Sequence, residues 1–192
     1  RLSDIAKTFW PDLDSMNPQR KLVGTGDVLT FLYSIPLAVL GIIWLFYSTE
    51  LTVLRHNIIL LLFYFGLFYL FSKLSFFTIV EIRSDRYGST EDSFASMIQW
   101  SAVFLLGPST LWVGVIYNAI DFIRNWRSST NQARRWSLLR TFSIALAVNT
   151  FAYLVAIEIY ELVGGTFPLS DLSLITISQG FIALVCEFSF VL

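Results

Sequence analysis

The feature that most constrains this chain is a pair of long apolar segments, residues 108–122 and 138–163, on either side of a basic connector over 121–140. The connector carries Arg124, Arg127, Arg134, Arg135 and Arg140 against a single acid, Asp121. A helix needs about 20 mostly apolar residues to cross a bilayer. Short loops rich in Lys and Arg stay on the cytoplasmic side. The expected fold class is therefore all-α: a polytopic membrane protein of about six transmembrane helices, with both termini cytoplasmic. Composition points the same way. Of the 192 residues 55% are hydrophobic and 14% are charged, whereas soluble domains carry roughly 25% charged residues.

The remaining segments can be placed from the connector. Residues 1–27 read as a cytoplasmic amphipathic or interfacial segment. Leu2, Ile5, Ala6, Phe9 and Trp10 recur at helical spacing opposite Ser3, Asp4, Lys7 and Thr8, up to Pro11. Such a helix suits the membrane interface or a docking partner. A polar connector is expected over 11–26. Residues 28–192 read as the transmembrane domain, expected to continue past 192 because the chain stops within an apolar run.

Spanning helices are expected over 28–48, 57–80, 90–106, 108–122, 138–163 and 172–192. Ser89 and Asp92 resemble a capping box, which would start the third helix near Thr90. Pro108 suits the first position of the fourth, and Gly164-Gly165 would stop the fifth. The third and fourth are short, so they read either as tightly joined spans or as a partly re-entrant pair. Six spans put Arg1, Lys7, Arg20, Lys21, Arg83, Arg86 and the five connector arginines inside and leave Arg55 outside. That asymmetry supports the orientation. The expected location is the plasma (inner) membrane, multi-pass.

Polar residues at membrane depth are costly, which makes them functional candidates. They also act as interhelical contacts. Gly107, Gly114, Asn118 and Asp121 share one helical face; so do Ala145, Asn149, Ala152 and Ala156, and likewise Thr176, Gly180, Ala183 and Glu187. Close packing explains these stripes, and a ligand cavity between the helices is the second reading. The candidate ligand-binding residues are Asn118, Asn149, Gln179, Glu187 and Lys73. Lys73 and Glu187 fall at similar depth, so they either pair or turn separately to the inner interface and to water. Glu158 is expected at the outer interface. Arg124, Arg127, Arg134, Arg135 and Arg140, with Trp126 and Trp136 among them, suit anionic lipid headgroups at least as well as a nucleotide or a partner.

Catalytic chemistry is not legible. The lone His56 has no second His or Cys nearby, so no metal site is expected. Gly24-Thr25-Gly26 lacks the third glycine and the strand of a dinucleotide loop. No Ser-His-Asp or Cys-His set can be assembled. The expectation is a non-enzyme with no cofactor and no nucleic-acid partner. Its partners would be the lipid bilayer, a small-molecule ligand, and a homodimer or larger membrane complex.

Several turn and helix patterns carry a resemblance. They are Ser93-Phe94-Ala95, Phe104-Leu105-Leu106-Gly107-Pro108, Leu111-Trp112-Val113-Gly114-Val115, the Asn-containing helix from Ala145 to Ala156, and Gly164-Gly165-Thr166-Phe167-Pro168-Leu169. From about Phe77 onward the chain resembles the N-terminal membrane input domains of bacterial cyclic-dinucleotide signalling proteins of the HD-GYP and GGDEF classes. It also loosely resembles vitamin-transporter substrate-binding subunits. The first resemblance implies a membrane-embedded sensory or anchoring domain, non-catalytic in itself, with an output module outside this chain. The alternatives are a substrate-binding subunit of a small-molecule transporter and a structural subunit of a larger membrane complex. No HD, GYP or GGDEF residues occur here.

Overall fold

The computed structural model describes residues 7, 18–83, 86–130, 132–169 and 171–191. The amphipathic segment expected over 1–10 lies, apart from Lys7, outside the described residues. Helix α1 (Pro18–Tyr47) opens on a proline and runs for 30 residues, so the connector expected over 11–26 is helical from Pro18 onward. Gly24 and Gly26 each cost a helix about 1 kcal/mol relative to Ala. Tertiary contacts offset that cost. Asp27 pairs with Arg140, the Phe31 ring meets Trp136 at 4.8 Å, and the Ser34 and Ser143 hydroxyls share a 2.7 Å hydrogen bond.

The helix expected over 57–80 is divided differently. After α2 (Leu51–His56), helix α3 (Ile58–Phe71) is only 14 residues long. The chain then forms an antiparallel hairpin of β1 (Ser75–Arg83) and β2 (Arg86–Ser93), with Ser75 opposite Ser93 and Val80 opposite Gly88. Phe76, Phe77, Thr78, Ile79 and Val80 are aromatic or β-branched, types that favour a pleated strand. An apolar run does not by itself distinguish strand from helix. Ser89 and Asp92 accordingly sit in β2, and α4 (Ala95–Leu106) starts after them.

Gly107 ends α4 at φ 80°, a left-handed conformation that glycine adopts freely. Pro108 then opens a short 3-10 turn (Pro108–Leu111) that leads into α5 (Trp112–Ser128). At 1.5 Å per residue α4 is about 18 Å long, well short of a bilayer core of about 30 Å.

The basic connector expected over 121–140 is mostly helix. Helix α5 continues to Ser128 and α6 (Gln132–Ala147) begins four residues later. Arg, Gln, Ala and Leu are good helix formers, so the charges mark where the helices become polar and not where they end. Helix α6 passes through one π turn (Val148–Ala152) directly into α7 (Tyr153–Leu162). After the loop around Gly164-Gly165, α8 (Leu174–Val191) closes the described chain.

The described chain is thus mainly helical, with one β-hairpin. Two stretches, Gly24–Tyr47 and Arg134–Leu162, are long and apolar enough to cross a membrane; Ile58–Phe71, Ala95–Leu106 and Leu174–Glu187 are apolar but shorter. The core joins Leu45 of α1, Trp100 and Val103 of α4, Leu111 and Val115, Tyr153 and Ile157 of α7, and Ala183 of α8. Large apolar side chains also cover the outside: Ile59 is 82% exposed and Leu174 86%.

The connections sort by end. Ser48, Glu50, Asn57, Gly107, Pro108, Glu161 and Phe167 border one shared cavity, so the loops after α1, α4 and α7 meet there. The backbone N–H of Glu50 donates to Ser109 Oγ at 2.9 Å, and that of Leu169 to the Phe104 carbonyl at 2.8 Å. Asp27, Arg140 and the turn between α5 and α6 lie at the other ends of their helices.

Candidate functional site

Among the described residues α2, α3 and α5 border an open groove of about 760 Å³. Leu51 and Leu54 of α2 and Ile58, Leu61, Leu62 and Phe65 of α3 form one wall. Trp112, Val113 and Ile116 of α5 form the other, and Phe46 of α1 also lines it. Leu61 with Phe65, and Trp112 with Ile116, are four residues apart and so point the same way on their helices. Ligand sites typically occupy about 300–1,000 Å³ and are mostly apolar with a few placed polar groups. Here the polar groups are Thr49 and Ser109. Trp112 Nε1 donates to Thr49 Oγ1 at 2.8 Å, which fixes the indole along the groove wall. Trp112 also packs on the main core.

A second constellation surrounds the π turn. A Cβ placed on Gly114 of α5 would stand 3.1 Å from both Asn149 Oδ1 and Gln99 Oε1. The two amide oxygens therefore converge on one point of the α5 backbone. Asn149 Nδ2 donates to the Ala145 carbonyl at 2.8 Å, and Gln99 Nε2 to the Thr110 carbonyl at 3.3 Å. Gln99 is buried with Oε1 lacking a hydrogen-bond partner, and Asn118 Nδ2 is likewise unpartnered. On the other flank of the turn Gly41 of α1 lies against Thr150 and Phe151.

The residues singled out from sequence do not assemble into one site. Asn149 meets Gly114 as the small-residue stripes suggested, and Asn118 lies one turn further along α5. Gln179 is elsewhere: its Nε2 donates to the Val163 carbonyl at 2.7 Å, near the end of α7. Glu187 is buried in α8 and accepts from Trp100 Nε1 at 3.2 Å. Trp100 in turn stacks on Tyr153 at 5.0 Å.

Lys73 is far from that arrangement. It is exposed in the turn after α3, with Nζ 5.6 Å from the centre of the Tyr69 ring. No ion pair joins it to Glu187 among the described residues, because α3 ends at Phe71 instead of carrying the lysine down a longer helix. Glu158 is exposed near the end of α7. Among the described residues no group of three His, Cys, Asp or Glu converges as a metal site would require.

Two parts of the site were missed from sequence. Gln99 carried a usable signal, a polar residue in the middle of an apolar helix. The groove carried none, since α3 is apolar all round and its composition does not say which face meets α5. No protein-family model, curated protein or solved structure matches the chain.

Proposed function

We propose that the chain is a multi-pass membrane domain, non-catalytic in itself, that senses a lipid-like ligand for a larger signalling protein or anchors that protein in the bilayer. Its ligand site is the groove between α2, α3 and α5, and this groove is the observation that carries the reading. Its lining is almost entirely apolar, Thr49 and Ser109 supply the only hydroxyls among the described residues, and its size suits an acyl chain. In this account six helical segments cross or enter the bilayer of the plasma (inner) membrane, with the α4–α5 pair partly re-entrant and both termini cytoplasmic. The exposed apolar outer surface and the gathering of alternate loops at one end support that arrangement.

Ligand entry would act through Trp112. It both lines the groove and packs against the core. The core leads to Tyr153 and Trp100, and Trp100 holds Glu187 of α8. A ligand that fits one position of α3 against α5 better than another would shift the population of α8 arrangements by its difference in affinity. A transporter-type site for a polar solute receives less support, because Asn149 and Gln179 are occupied by backbone carbonyls.

The test is photo-crosslinking with a diazirine-bearing palmitate in nanodiscs, mapped by mass spectrometry. Labelling of Leu61, Phe65 and Ile116 should saturate and be competed by unlabelled palmitate, whereas labelling of the outward Ile59 and Phe63 should not. Ile116→Trp, which fills the groove, should remove the saturable component. Uniform, non-saturable labelling that Ile116→Trp leaves unchanged would refute the site.

A further inference from the structure

The five arginines around the α5–α6 turn are not equivalent. Arg124 pairs with Asp121 at 2.7 Å, and Arg140 pairs with Asp27 of α1. Arg135 donates from Nε to the Ser129 carbonyl at 3.0 Å, and its guanidinium lies 5.3 Å from the centre of the Trp126 ring. Arg127 and Arg134 are exposed and have no acid partner among the described residues. They flank the passage from α5 to α6, Arg127 in the last turn of α5 and Arg134 in the first turn of α6.

Helix polarity makes the second position unfavourable. A cation is stabilised at a helix C-terminus, as Arg127 is, and destabilised at an N-terminus. Arg134 and Arg135 occupy that first turn of α6, where no acid is present to offset them. The corner therefore presents positive charge that no acid among the described residues pairs with at Arg127 or Arg134. Arg135 is already ordered, since its Nε is engaged and its plane rests on Trp126. Its remaining N–H groups keep the fork geometry that suits phosphate oxygens. Trp126 is of the type that settles at the headgroup level.

We propose that Arg127, Arg134 and Arg135 form a binding site for an anionic phosphate ester at the α5–α6 corner, with Trp126 holding Arg135 in place. The inference rests on the bilayer location proposed above and is independent of the groove. A lipid headgroup and a soluble phosphate ester share this chemistry, so the test has two arms. In the first, the protein in phosphatidylcholine nanodiscs doped with phosphatidylglycerol is analysed by native mass spectrometry for retained lipid. In the second, glycerol 3-phosphate is titrated into phosphatidylcholine nanodiscs and Trp126 fluorescence is followed, using a variant with the other tryptophans replaced by Phe.

For a headgroup site, phosphatidylglycerol is retained over phosphatidylcholine. The double variant Arg127→Gln, Arg134→Gln should reduce that preference about tenfold or more. Arg124→Gln, whose charge is already paired, should leave it unchanged. Saturable glycerol 3-phosphate binding with the same variant dependence, and no lipid preference, assigns the site to a soluble ester. No preference in either arm, or an equal loss in Arg124→Gln, overturns the proposal. Alkaline-carbonate extraction of the same membranes reports separately on bilayer integration, so failure of the corner and failure of the membrane reading give different results.

Discussion

Two glycines on α1 make opposite predictions for the same substitution. A Cβ on Gly41 would collide with the Thr150 side chain and stand 2.6 Å from the Phe151 backbone nitrogen, within the π turn. A side chain can move aside, but a backbone nitrogen in a packed helix cannot. Gly41→Ala should lower stability by about 1–3 kcal/mol, the usual cost of overpacking. Gly26 has nothing within 4 Å of the same position, so Gly26→Ala should gain up to about 1 kcal/mol of helix propensity. Thermal unfolding in detergent, read by a thiol-independent shift assay, checks both. The reverse signs would mean that α1 does not seat on the π turn. Trp100→Phe addresses the buried carboxylate in the same way. It removes the indole donor to Glu187 while keeping an aromatic ring against Tyr153. A loss of up to about 3 kcal/mol is expected for removing a buried hydrogen bond to a carboxylate, and an unchanged midpoint would show that the hydrogen bond contributes nothing.

Between elements, the seam of α1 against α6 is the most informative. It is built from an ion pair, an edge-to-face aromatic pair and a serine pair at Asp27–Arg140, Phe31–Trp136 and Ser34–Ser143. Each step advances α1 by three or four residues, the spacing of one helical face. The ion pair is more than a quarter exposed on both sides, so Asp27→Asn should cost no more than about 1 kcal/mol. Exchanging the charges, Asp27→Arg with Arg140→Asp, should recover most of it, and a double-mutant cycle measures the coupling. No coupling would place the two helices apart.

This seam also shows how far the sequence could be read. The long apolar stretches of α1 and α6–α7 were legible as helices, and so was the inward face of α8 through Gly180, Ala183 and Glu187. The helix ends were not. Residues 76–80 are as apolar as α3, and hydropathy is blind to the β-branched and aromatic character that makes them a strand. The arginines at 124–140 do not mark a loop, because arginine is a good helix former and charge alone does not break a helix. The groove lay beyond reach because it depends on how α3 is set against α5, a tertiary relation between two segments that each look uniformly apolar or amphipathic alone.

At the scale of the whole molecule, the loops after α1, α4 and α7 meet at one end, and the arginine-rich α5–α6 turn lies at the other. A bilayer-embedded protein with this arrangement has the first set outside and the basic corner in the cytoplasm. In the proposed arrangement the apolar outer faces of α3 and α8 would meet lipid, where exposed side chains such as Ile59 and Leu174 are favourable. Membrane-impermeant maleimide labelling tests this central claim most directly. The background is Cys186→Ala, which removes the chain's single cysteine, and the reporters are Thr52→Cys and Ser128→Cys, both at exposed positions. The account predicts that Thr52→Cys is labelled in intact cells and Ser128→Cys only in inverted membrane vesicles. Labelling of both from the same side, or of Ser128→Cys in intact cells, would contradict it.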